Sequence, residues 1–465
     1  MIEKKPELKK ALGPFNLITM GVGAIIGAGI FVLTGTASAQ YAGPGIVLSF
    51  VLSAIVCVLA GLCYAEFSAL IPKAGSAYSF ALATMGKTVA WIIGWDLILE
   101  YLFAAATVAV GWSGYMVSFF SDLGIHIPKA LSQSPFAFKP GIGWHTTGAI
   151  LNLPAMAIIG IAALFLYRGI TESAKLTAFI VMIKLSVILL FIAFGIPHIQ
   201  LSNLTPFIPS NTGVWGEFGI SGVCRAASVI FFAYIGFDAV STSAQECKNP
   251  QKDLPIGILG SLLISTLLYI GVAIVLTGVV HYSFLNVPDP IAVGVNAMGS
   301  HLYWLRPLVK LGAIAGLSSV ILVMMMGQTR IFYALSCDGF LPKLFSNIHI
   351  KYQSPHTATL ITAITAMLIA GILPIGLLGE LVSIGTLLAF AIVCAGIWIL
   401  RIKKPHLPRP FKTPFVPLIP ILGVITSVAQ MLYLPKDTWL RLFIWMALGG
   451  IVYVFYGRKV KINSE

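Results

Sequence analysis

The chain is 465 residues long, 58% hydrophobic and only 10% charged, where a soluble globular protein carries about 25% charged residues. So little polar material cannot cover the surfaces of the two or three soluble domains this length would otherwise make, and it leaves no room for a soluble catalytic domain. About 20 residues cross a hydrocarbon core, and the expected fold is all-α: a polytopic membrane protein.

In chain order, apolar runs bounded by Pro, Gly and charge predict twelve transmembrane helices. They cover 15–41, 44–69, 88–120, 147–167, 172–196, 217–246, 254–280, 303–334, 356–374, 381–400, 415–434 and 439–457. Runs that are apolar all round have no hydrophobic face to orient them. Most connections are short, and the loop at 197–216 is longer and rich in Ser, Asn and Pro.

The net charge is +13. In a soluble protein this would suggest a nucleic-acid partner; between membrane spans it reports topology, because Lys and Arg concentrate on cytoplasmic loops. One face of the twelve-span order holds Lys129, Lys139, Arg306, Lys310, Lys436 and Arg441, and Lys184 and Arg225 lie deeper. All other Lys and Arg fall on the opposite face, five of them between spans 10 and 11. The expectation is a multi-pass protein of the cell membrane with both termini cytoplasmic and no nucleic-acid partner. The six cysteines form no CxxC, so neither a disulfide framework nor a metal site is expected. The charged stretch Met1–Pro14 has no apolar h-region ahead of a small-residue site, so no cleaved signal peptide is expected.

Two spans look interrupted. Span 1 reads Gly-Ala-Ile-Ile-Gly-Ala-Gly-Ile-Phe from Gly23 to Phe31, and span 6 reads Phe-Phe-Ala-Tyr-Ile-Gly-Phe-Asp from Phe231 to Asp238. An offset of five spans, an odd number, turns the second unit upside down relative to the first. Broken helices at matching places in two inverted halves point to a transporter's binding site. The predicted division is a tail at 1–14, a first repeat of spans 1–5 at 15–196, a second of spans 6–10 at 197–400, and spans 11–12 with the C-terminal tail at 401–465.

Unwinding around Gly27 would leave the Ala28 and Gly29 amides at the positive end of a half-helix, a carboxylate site built from main chain. The alternative is a Gly23/Gly27 packing face. Unwinding at Gly236 would free the carbonyls of Phe232, Ala233 and Ile235 for an ammonium; the alternative is one glycine tolerated in a packed helix. Lys184 lies too deep in span 5 to snorkel to the interface, so its ammonium must face the bundle interior. It is either a proton-exchanging group or a permanently paired structural one. Glu100 in span 3 and Asp238 just past the span 6 break are buried acids that could pair with Lys184 or meet the substrate. Asp96 reads as a solvated or cap-like group, Arg225 as an external gate or anchor, Glu66 as a loop partner, and the Trp91/Trp95 pair as packing or interfacial anchoring.

At these motifs the chain resembles the amino acid–polyamine–organocation superfamily, and most of all bacterial homologues of the cationic amino acid transporters. The likeness also rests on Ile71–Tyr78, Gly94–Tyr101, Glu246–Pro250 and Gly327–Gly339, and it covers nearly the whole chain. It implies a five-plus-five inverted repeat of the leucine-transporter type, with spans 1 and 6 discontinuous. By resemblance, the substrate carboxylate meets amides around Gly27, Ala28 and Gly29, and its ammonium meets carbonyls of Ile25, Phe232, Ala233 and Ile235. The side-chain pocket is formed by Glu100, Ala104, Phe231 and Leu317. Lys184 matches the lysine of proton-coupled relatives, and no cofactor is implied. Many relatives carry Thr or Ser where this chain has Ala28, so no hydroxyl is available there for the carboxylate. The resemblance leaves room for a small single-span accessory subunit.

A charged Lys184 near the junction of spans 1, 5 and 8 would repel Na⁺, although Ser318 and Ser319 could otherwise contribute to a sodium site. The expectation is therefore proton-coupled symport of small neutral amino acids such as alanine, with Lys184, Glu100 and Asp238 as coupling groups and a cationic substrate still open. Amino acid exchange and sodium-coupled symport remain alternatives. No ring of like residues suggests a channel, and no nucleophile, base or metal cluster suggests an enzyme. A sensor that binds without transporting would share the same site.

Overall fold

The structure is a computed structural model that describes residues 12–71, 76–139, 143–169, 174–242, 247–352 and 354–459. Most of the N-terminal tail, the last six residues and parts of the 71–78 and 246–250 motifs lie outside the described residues. The principal helices are α1 (Pro14–Ile25), α2 (Ile46–Leu70), α3 (Lys87–Asp122), α4 (Leu153–Tyr167), α5 (Ala174–Gly195), α6 (Gly219–Ile230), α7 (Pro250–Val279), α8 (Pro290–Ala297), α9 (Leu305–Cys337), α10 (His356–Ile372), α11 (Ile375–Lys403), α12 (Leu418–Tyr433) and α13 (Lys436–Phe455).

Among the described residues, seven helical stretches are long and apolar enough to cross a membrane. The shorter apolar helices α1, α4, α6, α10 and α12 lie among them, and each predicted run contains one or the other. α1 and α6 are short because their spans are interrupted. The surface is the inverse of a soluble protein's: Leu263, Leu267, Phe443 and Ile451 are exposed while Lys184 is fully buried, as expected where the solvent is hydrocarbon.

Local chemistry sets the ends. The predicted fourth span begins too early: residues 147–152 are loop, and the Asn152 side chain caps α4 by accepting from the Ala155 amide at 3.2 Å. α11 starts at Ile375, just after Pro374, rather than at 381. Two connections hold structure that hydropathy does not reveal. An antiparallel hairpin, β1 (Phe136–Lys139) with β2 (Gly143–Thr146), pairs Phe136 with Thr146 between α3 and α4, and α8 lies between α7 and α9.

α3 is the central strut. At ~1.5 Å per residue its 36 residues span about 54 Å, well over the ~30 Å hydrocarbon thickness. It packs most extensively on α9 and also on α11; α7 packs on α2 and α1. Small residues permit the approach: a Cβ on Gly111 would lie 3.2 Å from Val32 and 3.3 Å from Ala28. α13 is fastened to α3 by two tryptophans that exchange donors. The Trp95 indole donates to the Trp445 carbonyl at 2.8 Å, and the Trp445 indole donates to the Trp95 carbonyl at 3.2 Å. Trp91 donates to the Gly449 carbonyl at 3.0 Å, so the Trp91/Trp95 pair packs against α13.

Candidate functional site

α1 stops where its sequence becomes glycine-rich. Ile26 is extended (φ −74°, ψ 97°) and winding resumes at Gly29 as a wide π-helical stretch to Leu33. The first amides of the resumed segment lack a preceding turn to accept them. α6 ends at Ile230, and a tight turn over Phe231–Tyr234 leads to an extended Ile235 (φ −62°, ψ 139°). Gly236 follows at φ +112°, where a Cβ would meet the Ala24 backbone at 3.0 Å. Backbone conformation and close approach both require glycine there.

The two breaks face each other. A Cβ on Gly29 would lie 2.2 Å from the Ala233 Cβ. From α7, the buried Tyr269 hydroxyl lies 3.0 Å from the Ile25 carbonyl and 2.7 Å from that of Ala233. One hydroxyl proton thus serves two carbonyls that the breaks have freed.

Between the breaks is a cavity of about 10 Å³, about the room one water needs. The sequence-predicted Ile25, Gly27, Ala28, Gly29, Ala104, Phe232 and Ile235 line it. Ala233 meets Tyr269 through its carbonyl instead. Glu100, Phe231 and Leu317 do not line the cavity: Phe231 packs edge-on against Phe390, and Leu317 is buried one helical turn from Val320. Ala24, Val108, Val320 and Met324 complete the lining and were not anticipated from the sequence. Among the described residues no charged side chain lines the space.

Lys184 is fully buried. Its ammonium donates to the carbonyls of Gly23 at 2.5 Å and Ile26 at 2.9 Å, groups that the break leaves without their usual helical partners. A cation at that place also complements the negative end of the α1 dipole. Asp238 accepts from the Tyr101 hydroxyl at 2.9 Å. Glu100 forms no ion pair among the described residues, and its Oε1 has no hydrogen-bond partner there.

Asp96 corrects one expectation. It is neither solvated nor a cap: it lies inside α3, fully buried, with no partner for either carboxylate oxygen among the described residues. Gly385 of α11 faces it so closely that a Cβ there would lie 2.8 Å from Oδ1. Gln328 on α9 is likewise buried without a partner for its amide.

Two further ionic sites clamp the ends of the bundle. Arg225 on α6 pairs with Glu380 at 3.3 Å and lies over the Tyr41 ring. Glu66, at the end of α2, is fully buried; Arg401 contacts both its oxygens at 2.9 Å, Arg409 lies at 3.1 Å, and the Thr413 amide donates at 2.8 Å. Glu66 thus organises the loop after α11.

The chain matches the amino acid permease family over residues 12–456. It is 44% identical over 459 residues to the branched-chain amino acid permease BcaP of Bacillus subtilis (strain 168), covering 98% of this chain and 95% of the relative. It is 42% identical over 462 residues to the methylthioribose transporter of the same organism, covering 99% and 96%. It is 37% identical over 399 residues to the chloroplastic cationic amino acid transporter 9 of Arabidopsis thaliana, covering 85% and 67%. The chain belongs to the amino acid permease family and is a multi-pass membrane transporter, not an enzyme.

Proposed function

We propose that the protein is a proton-coupled symporter of neutral amino acids with small to medium aliphatic side chains, working by alternating access across the cell membrane. In this reading twelve crossings form two inverted repeats of five plus two further spans, with both termini cytoplasmic. The observation that carries it is the pair of facing helix breaks, with Lys184 on the first. Amides at Ala28 and Gly29 are suited to the substrate carboxylate, and carbonyls of Ile25, Phe232, Ala233 and Ile235 to the ammonium. Ala104, Val108, Val320 and Met324 offer an aliphatic side chain only apolar surface. A buried Arg or Lys head would find no partner there.

In the coupling step, protonated Lys184 holds the frayed end of α1 through Gly23 and Ile26. Loss of that proton removes both the charge and a donor, releasing the break as the proton leaves. In this reading Glu100 and Asp238, the two other buried coupling groups, receive it.

Two relatives of similar identity are a branched-chain amino acid permease and a methylthioribose transporter. The lining favours an amino acid, because it offers no side-chain hydrogen-bond group to the hydroxyls of a sugar. Proteoliposomes loaded and diluted to impose first a pH gradient and then a Na⁺ gradient test the proposal. Accumulation of labelled leucine or alanine under the pH gradient is expected; accumulation of arginine or methylthioribose instead, dependence on Na⁺, or binding without accumulation would overturn it.

A further inference from the structure

Away from the helix breaks, a second cavity of about 330 Å³ opens between α3, α11 and α13, within the size range of small-ligand pockets. Its walls are apolar, with Leu99 and Phe103 from α3, Leu381 from α11, and Ile444 and Leu448 from α13. Ile444 and Leu448 are also exposed on the outside of the bundle, so the groove opens toward lipid. One charged residue lines it, Arg441. It lies five residues into α13, about 8 Å along the axis from Lys436. The Trp144 ring of the hairpin lies beneath its guanidinium, 5.9 Å away. Trp144 and Trp445 are the residue type that gathers at the membrane–water boundary.

Glu380 is shared by Arg225 at 3.3 Å and Arg441 at 3.9 Å, two cations on one carboxylate. The Arg441 contact is too long for a hydrogen bond. Among the described residues the guanidinium's hydrogen bond is a long one, 3.5 Å to the Thr438 hydroxyl. A guanidinium presents five donors in a fork that fits a phosphate, so most of its capacity remains available. An apolar trough running along α13 with such a group at one end matches an acyl chain joined to an acidic headgroup. Water does not suit the trough, whose walls offer it too few polar partners.

We propose that this groove binds one anionic phospholipid from the leaflet on the hairpin side, an acyl chain between α3, α11 and α13 and its phosphate on Arg441. A zwitterionic lipid carries a phosphate too, but not the net negative charge that favours a place beside the Arg441 guanidinium. One surface Arg is worth about a fivefold preference for anionic lipid.

The test is native mass spectrometry of the full chain released from detergent after titration with phosphatidylglycerol or phosphatidylcholine. The wild type is expected to retain phosphatidylglycerol about fivefold more, Arg441→Gln to lose that preference, and Leu448→Trp to retain less of either lipid by filling the trough. Equal retention of the two lipids by the wild type, or unchanged selectivity in Arg441→Gln, overturns the proposal. A diazirine-tailed phosphatidylglycerol in phosphatidylcholine vesicles checks the wild type independently of any variant's folding. Labelling of peptides from α11 and α13 around Leu381 and Leu448 supports the site, and labelling confined to other helices refutes it.

Discussion

Gly29 and Ala233 meet where the two interrupted helices cross, so closely that a Cβ on Gly29 would lie 2.2 Å from the Ala233 Cβ and 2.4 Å from its Cα. The obstruction includes rigid backbone rather than the tip of a flexible side chain. Gly29→Ala therefore forces the breaks apart, and overpacking of this kind costs about 1–3 kcal/mol. Initial uptake rates in proteoliposomes should fall at least tenfold while the variant still elutes as a single species in gel filtration. Wild-type uptake would show that the close approach of Gly29 and Ala233 is not needed for transport.

Lys184→Met removes the two donations to Gly23 and Ile26 without opening a large void. Net uptake should lose its dependence on an imposed pH gradient and fall to background. Labelled substrate should still exchange between the two sides if the breaks themselves form the binding site. Preserved pH-driven accumulation would exclude Lys184 as the coupling group.

Tyr269→Phe deletes a hydroxyl that lies within reach of both Ile25 and Ala233 carbonyls. Leaving buried acceptors unsatisfied costs about 1–3 kcal/mol, so the thermal midpoint in detergent should drop by several degrees. Added substrate should recover more of that loss in the variant than it adds to the wild type, because its ammonium can replace the missing donor. Thermal shift with and without leucine measures both.

At the bundle's end, Glu66→Gln keeps the side chain's shape but removes the charge that gathers Arg401, Arg409 and the Thr413 amide. Unpairing a buried ionic cluster costs about 3–5 kcal/mol. The variant should melt well below the wild type, and protease should cut the loop after α11 sooner.

Asp289, in the connection that carries α8, has its carboxyl held above the usual Asp range because burial disfavours its charge. The Ser118 hydroxyl, Lys310 and Arg306 pull the other way and Asp122 adds to the rise. A raised acid contributes stability below its ordinary pKa and loses it as pH climbs through the folded value. Wild-type stability should therefore decline from about pH 4 upward by an increment that Asp289→Asn lacks. Melting curves of the two proteins across pH measure the difference.

Much of the fold was legible because apolar runs and their Gly and Pro boundaries are one-dimensional signals. The breaks were legible for the same reason: Gly27 and Gly236 announce them in the sequence. What escaped depends on rotation about helix axes that are apolar all round. Val320 lines the cavity where Leu317 on the same helix does not, and Val108 lines it where Glu100 does not. Asp96 reads as solvated from its place toward the start of span 3, but α11 covers it there, with Gly385 against its carboxylate. Tyr269 carries no motif at all. Its position becomes meaningful only once α7 is seen lying across both breaks.

The exchange of donors between Trp95 and Trp445 makes the last helix a passenger on the third. In hydrocarbon no water stands ready to replace either N–H bond, so α3 and α13 should travel as one beam. Because α3 also supplies Ala104 and Val108 to the chamber, whatever tilts that beam from the rim of the molecule will be felt at its centre.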